Sequence, residues 1–543
     1  MADRTLIDKV EKRFTEWDSL FDRMQTDADL FNLAKYTIKD TENHQIPHSL
    51  SVTINDAAVF AWRVETALNS AIEQIAVTSN NKRFDTAYVE DFLRNAFKAA
   101  DKLLPLRDLY PLNPFLDQQT CRRGRVAARC LFQIIKGELN PDITPWDTKY
   151  CVYGMDKNGM AIAGYKTTRS KDQIIAEYPN ADVPNGTDLT FYDIFTRERH
   201  ELWVSDKNIY EERNKFGYVP VAYRKVPMGS MMLDSDTIKH QGESILFLIR
   251  DLLDELNRAL SILQSLNQKS LDHALQLKIP LQGITPEMPV KGHDEVTKPG
   301  AVNVVPSEGG YEYMPIGEVI NHVELLIAKI EERLQRGGLN AFEAGTFKQP
   351  MSAVALIQVA QGQDLIYLPR VATRGLLKQD LSEMLIKQVI ASGESTVKLN
   401  NQEFEVAKLK GEYEIEFKYS FNDPKLDAAR SSLAAAQRGL IPDRAIRRDT
   451  LQREDPEEDE RWLAWEKAAR VSPLVDLRRT ILHLIEEADR GDEDARGEAE
   501  IMCDSQYLPM LEQAILGKEL QGAGELKPAQ PVVPLMGGTS QQQ

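Results

Sequence analysis

The sequence predicts an α+β fold from three observations. Long, proline-poor runs at 240–277, 316–336 and 352–392 carry apolar residues three or four positions apart. Two other stretches, 146–227 and 395–421, break into short β-branched and aromatic runs divided by polar turns. With 543 residues the chain also exceeds what one core usually supports, so several domains are expected.

Residues 1 to about 145 read as mostly helical. DAAVFAWRVETALNSAIEQI (56–75) keeps helical spacing behind an Asn55/Asp56 cap candidate. RVAARCLFQIIKGEL (125–139) reads as a further helix behind the basic cluster Arg122, Arg123 and Arg125. That cluster is open to two readings, an exposed helix start or a phosphate contact. From 146 the pattern turns to strands. KYCVYGM and MAIAGYKTT flank DKNG, whose Asn158-Gly159 suits the positive φ of a hairpin turn. LTFYDIFTR, HELWVSD, NIYEER and YVPVAYRKV continue the module, with a helix expected at 172–179 and a connector at 228–236.

HQGESILFLIRDLLDELNRALSILQSLNQKSLDHALQL (240–277) contains no proline and one glycine. Ile245, Ile249, Leu252, Leu256, Leu260, Leu263 and Leu266 fall on one helical stripe, so a single helix of ~50 Å is expected. Residues 278–315 then turn Pro- and Gly-rich, with strand-like AVNVV and YEYM. A second helix follows at 316–336, striped by Val319, Val323, Leu326, Ile330 and Leu334. The order describes an antiparallel helical hairpin with a small β insert at its tip. After the small-residue loop 337–351, a very long helix is expected over 352–392, kinked near Leu368 because Pro369 removes a backbone bond. Tyr413, Ile415, Phe417 and Tyr419 then alternate with charged residues, the pattern of a half-buried strand. Helices resume after Asn422, and 521–543 is a low-complexity tail.

Charge and motifs narrow the function. With 83 acidic against 66 basic residues the net charge is −17, the wrong sign for a surface that grips DNA throughout, though not for one that DNA passes. The four cysteines form no C-x-x-C pair and no disulfide framework, so reduced thiols are expected. The first residues, MADRTLIDKVEKRF, lack the apolar core of a secretory signal. No run of about 18 apolar residues suggests a membrane span, so a cytoplasmic origin is expected. There is no P-loop, no G-x-G-x-x-G, no G-x-S-x-G and no H-E-x-x-H. His44 and His48 are separated by Pro47, and the Asp234/Asp236 pair lacks the rest of a calcium loop. No enzyme, metal or cofactor is expected.

This order of segments resembles the portal proteins of tailed double-stranded DNA bacteriophages, over nearly the whole chain. KFGYVPVAYRKVP and GLIPDRAIRRDTLQREDPEED (439–459) are similar to wing segments of that family, though the order carries more weight than either motif. The resemblance implies a portal fold. Its wing would be 1–237 with 396–472, its long-helix stem 238–277 and 316–336, and its β-containing clip 278–315. A tunnel loop would follow at 337–351, a kinked channel helix at 352–395 and a helical crown at 473–520.

It also implies a ring of twelve chains at one capsid vertex of the virion, conducting double-stranded DNA in packaging and ejection. The implied partners are the major capsid protein, the terminase large subunit and tail adaptor proteins. Glu318, Glu324, Glu331 and Arg336 are then candidates for the channel face, although spacing alone leaves open whether each meets the channel or plain solvent. Phe342, Phe347 and Lys348 become tunnel-loop candidates, Lys348 as the loop's only cation. Val302, Val304, Val305, Tyr311 and Tyr313 become docking candidates on the clip. Twelve chains at −17 give roughly −200, a wall that repels phosphate and lets a duplex slide. A helical scaffold or adaptor of the virion is the alternative; a packaging nuclease or ATPase is disfavoured by the missing motifs.

Overall fold

The computed structural model describes residues 5–47, 49–81, 84–135, 138–232, 234–271, 275–279, 302–306, 316–337, 353–400, 402–420, 424–442, 445–451, 463–464, 466–467, 470, 472–489 and 493–515. The fold is mixed α+β, and the chain divides into two compact units, Met1–Leu426 and Asp427–Gln543.

The first unit opens with helices α1 (Thr5–Glu16), α2 (Asp18–Phe31) and α3 (Asp56–Asn69). The helix expected over 56–75 thus ends early, and its tail joins strand β1 (Ile72–Thr78). β1 pairs antiparallel with β14 (Glu414–Ser420), Ile72 opposite Ser420. On β14 Ile415 and Phe417 are buried while Glu414 and Glu416 are exposed, as the alternation predicts. Helices α4 (Thr86–Leu103) and α5 (Leu112–Arg122) follow; Asp85 caps α4 by accepting from the Tyr88 N–H.

The largest departure from expectation lies at 125–139, which is not a helix. It forms β2 (Arg125–Ile135) and the start of β3 (Glu138–Trp146), both central in a five-stranded sheet of order β13-β12-β3-β2-β9. β9 is Val221–Lys225, β12 Thr396–Leu399 and β13 Gln402–Glu405. Val126, Ala128 and Cys130 join the core under α4, and Ala127 joins another core on the opposite face. A strand buried on both faces loses the alternation that would mark it as a strand.

A second five-stranded sheet, β4-β5-β6-β7-β8, is an antiparallel meander of β4 (Cys151–Asp156), β5 (Gly159–Arg169), β6 (Leu189–Thr196), β7 (Arg199–Val204) and β8 (Lys207–Arg213). Its first turn places Gly159 at φ +101, as the Asn-Gly signal predicts. Helix α6 (Lys171–Glu177) starts on a capping box between Ser170 and Gln173 and buries Ile174 against Phe191, Leu202 and Val204. α1 and α2 cover the other side with Ile7, Val10, Leu20 and Met24.

Helix α7 spans Arg250–Leu271, so the helix expected from 240 starts about ten residues late. Gly242 sits at φ +68 with its backbone against that of Gly124, and the Ile245 N–H donates to the Cys121 carbonyl, so this stretch is held by tertiary bonds before the helix begins. After α7 come β10 (Leu275–Ile279) and β11 (Val302–Pro306), paired parallel, then α8 (Ile316–Gly337). Helix α9 runs Ala353–Ala391 with Pro369 inside it.

Helix α10 (Pro424–Gln437) spans the boundary between the units. The second unit continues with a π-helical turn (Ile446–Thr450). It then forms α11 (Pro473–Asp489), packed on α12 (Glu493–Met502), a second π turn (Cys503–Tyr507) and α13 (Leu508–Ile515). Ile446, Ile481, Ala495 and Ala499 are its buried apolar residues among those described.

Candidate functional site

The most distinctive local construction is the pair α7 and α8. Each has 22 residues, about 33 Å of helix. Leu253 and Leu256, near the start of α7, share one core cluster with Ile330 and Leu334, near the end of α8. The helices therefore run antiparallel, with the β10–β11 pair at their far end. Fully burying each such Leu or Ile contributes ~1.5–3 kcal/mol, so a few contacts fix the register of the pair.

The outward surface of this pair is acidic. Asp251, Asp254 and Glu255 on α7 and Glu324, Glu331 and Glu332 on α8 are exposed, against Arg258, Lys329 and Arg333. Asp254 is pushed above the usual carboxylate range by partial burial and then by Glu255 and Asp251. Leu325 and Leu326 lie on the same exposed surface of α8; Leu326, expected on the packed stripe, is thus outside it, and Ile327 packs instead.

The base of α7 is pinned by a buried charge network. Arg250 grips Asp27 of α2 with a two-nitrogen fork, Nε to Oδ1 at 2.6 Å and Nη2 to Oδ2 at 3.0 Å. Its Nη2 also reaches Glu243 Oε2 at 2.7 Å. Arg23 Nη1 donates to the same Oε2 at 2.6 Å and to the Gly242 carbonyl at 3.1 Å, and its Nη2 donates to the Arg123 carbonyl. His240 Nδ1 sits 2.8 Å from the other Glu243 oxygen. Glu243 and Asp27 are fully buried. Burial alone would push the Glu243 carboxyl up, yet Arg23 and Arg250 outweigh it and hold the group below the usual range. The same pairing raises Arg250 despite its burial, whereas for Arg23 burial wins and lowers it.

α9 is held differently. Arg374 places a single nitrogen, Nη1, 2.6 Å from both oxygens of Asp117 on α5, while its buried Nε has no hydrogen-bond partner among the described residues. The guanidinium also lies over the Tyr419 ring at 4.3 Å. One turn on, Lys378 Nζ reaches Glu73 on β1 at 2.6 and 2.7 Å. One turn back, Arg370 is buried against the Ile366 carbonyl, with Met228 Sδ at 3.2 Å, and has no carboxylate partner among the described residues. Burial pushes Asp117 up to about 6, against the pull of Arg374.

The basic cluster near α5 resolves into internal struts. Arg122 forks onto Glu65, Arg123 donates to the Met24 carbonyl and Asp147, and buried Arg125 donates twice to the Gln241 carbonyl. The exposed helix start and the phosphate contact both give way to this packing. An open groove of about 1170 Å³ lies at the ends of β6, β7 and β8. Three of its four cations are paired: Arg197 is forked to Asp156, Arg199 meets Glu211 and Lys215 meets Glu212, the fourth being Arg213.

Of the residues singled out from sequence, Glu324 and Glu331 are exposed on α8. Glu318 and Arg336 belong to the same helix, with side chains outside the described set. Val302, Val304 and Val305 lie on β11, opposite Leu275, Leu277 and Lys278. Tyr311, Tyr313, Phe342, Phe347 and Lys348 lie outside the described residues. The two buried networks were missed, although Arg370, Arg374 and Lys378 stand at four-residue spacing on one stripe of the helix. Among the described residues no cluster of three His, Cys, Asp or Glu is placed to hold a metal, and no helix is long and apolar enough to cross a membrane. No protein-family model matches the chain, and no curated protein matches it significantly.

Proposed function

We propose that this chain is the subunit of a portal ring, the conduit through which double-stranded DNA enters and leaves a phage capsid. The observation that carries the reading is the antiparallel pair α7/α8, equal in length, tipped by a β insert and pinned at its base by buried charges. A conduit wall must stand rigid while a polyanion slides past it. The pinned base supplies rigidity, and the surplus of exposed carboxylates on the pair discourages phosphate from sticking. In this reading α7 and α8 are the stem and β10–β11 belong to the clip that docks the terminase large subunit and later the tail adaptors. α9 is the channel helix, and the sheets of the first unit form the wing facing the major capsid protein.

The full-length chain, purified and imaged by negative stain with mass measurement of single particles, tests this directly. Closed rings of about twelve subunits with a central hole are expected. A monomer under all salt and concentration conditions overturns the reading, and an open filament favours a scaffold or adaptor.

A further inference from the structure

α7 is tied to the rest of the first unit twice, and the second tie is of another kind. Along its middle, Asn257, Ser261 and Ser265 stand four residues apart on one stripe. An extended run, Ser49–Ile54, lies along them. The Ile54 N–H donates to Asn257 Oδ1 at 2.9 Å, the Val52 N–H to Ser261 Oγ at 2.8 Å and the Leu50 N–H to Ser265 Oγ at 2.9 Å. Behind this run the chain is tied by side chains again. The Tyr36 N–H donates to Thr53 Oγ1 at 2.9 Å, and the Ile38 N–H to Ser51 Oγ at 3.1 Å. Every second amide of the extended run thus rests on a helix side chain, and among the described residues no sheet neighbour supplies a ladder.

We propose that Ser49–Ile54, with Tyr36–Ile38 behind it, is a strap that lifts off α7 as a unit while the base of α7 stays closed. Four observations carry this. The serine hydroxyls also donate to the carbonyls one turn back, Ser261 to Asn257 at 2.7 Å and Ser265 to Ser261 at 2.7 Å. Those bonds survive when the strap leaves, so α7 does not depend on it for its own structure. Apolar anchorage is thin: Ile38 is buried, but Val52 and Ile54 are only half-buried and Leu50 is exposed, so freed amides meet water at once. The hinge before the strap is strained, with Leu33 at φ +55, where a leucine is rarely found. The hinge after it is weak, because Asn55 at the start of α3 makes no side-chain cap bond. At the base, by contrast, removing any one charge strands another in the interior. The strap therefore sets whether the middle of α7 is clamped or free, and this holds whether or not the chain forms a conduit.

Hydrogen exchange of the full-length protein, read by mass spectrometry across low urea concentrations, tests the strap. Peptides covering 49–54 are expected to exchange through an opening almost independent of urea, faster than peptides covering 250–256 or 125–135. The double variant Ser261→Ala with Ser265→Ala should speed exchange at 49–54 by about tenfold or more and leave 250–256 unchanged. Exchange at 49–54 with the same rate and urea slope as at 125–135 overturns the proposal, as does a double variant without effect on 49–54. Should the variant loosen all three regions together, the wild-type urea series decides alone.

Discussion

At the base of α7, two guanidinium groups and two carboxylates form one closed network; along α9, three cations face two carboxylates and stand in line. In the first case Glu243 accepts from Arg23 and Arg250 and meets His240, while Asp27 receives a full fork from Arg250. In the second, Arg374 meets Asp117 through one nitrogen and Arg370 has no described carboxylate at all. Two guanidinium groups converge on Glu243, so charge outweighs burial and the carboxyl is held below its usual range. Asp117 has the single guanidinium of Arg374 in contact, burial wins, and the group is pushed up to about 6. Two helices of one unit are thus fixed by the same residue types with opposite electrostatic outcomes.

The sharpest way to break the contrast is to empty one site. Glu243→Ala leaves two arginines buried without their shared carboxylate and should cost about 3–5 kcal/mol in urea unfolding. Arg374→Met alone should cost nearly as much, by stranding Asp117. The double change Asp117→Leu with Arg374→Met, however, should recover to within about 1–2 kcal/mol of wild type, since an isolated pair can be replaced by apolar packing. The matching double at the base, Glu243→Leu with Arg250→Met, should not recover, because Arg23 and Asp27 remain.

Next comes Gly242→Ala. Its Cβ would lie 2.7 Å from the Gly124 carbonyl oxygen at a φ of +68, so a loss of about 2 kcal/mol or more is expected, read by the same unfolding curves. Arg370→Met should be neutral or stabilise by about 1 kcal/mol, as an apolar chain of similar length needs no counter-charge.

The smallest effects, and opposite in sign, come with pH. Glu243 is held below its ordinary value, so its contribution is present above about 4.5 and is lost as pH falls through its folded value. Asp117 is raised, so its contribution is full below about 3.8 and fades as pH rises towards 6. Thermal unfolding of Glu243→Gln and Asp117→Asn beside the parent across pH 3.5–7 should show the two differences shrinking in opposite directions.

How much of this was legible in the sequence depends on how far each signal reaches along the chain. α8 and the strands of the second sheet follow from periodicity and turn residues within ten or twenty positions. β2 did not, because two-sided burial erased its alternation. The early start expected for α7 failed for a related reason: Ile245 and Ile249 keep helical spacing and are buried, but in turns that precede the helix, where the Ile245 N–H donates to the Cys121 carbonyl. The buried networks were out of reach because their members are remote, Arg23 and Glu243 lying 220 positions apart and Asp117 and Arg374 257. What sequence does offer is a cue with a mechanism: polar residues repeating every fourth position, and so sharing one stripe of a helix. Arg370, Arg374 and Lys378 obey it, and so do Asn257, Ser261 and Ser265.

The pairing of β1 with β14 has a consequence in time. Ile72 and Ser420 are neighbours in one sheet, so the early strand must wait for nearly the last residues of its own unit. At ~5–20 residues per second of synthesis, that wait lasts on the order of tens of seconds. Throughout it, β1 offers an unpaired edge beside a crowded ribosome exit, and α4 has no completed layer to close upon. Folding of this unit is thus tied to completion of residue 420, and until then the waiting edge is the place where the half-made chain can pair wrongly.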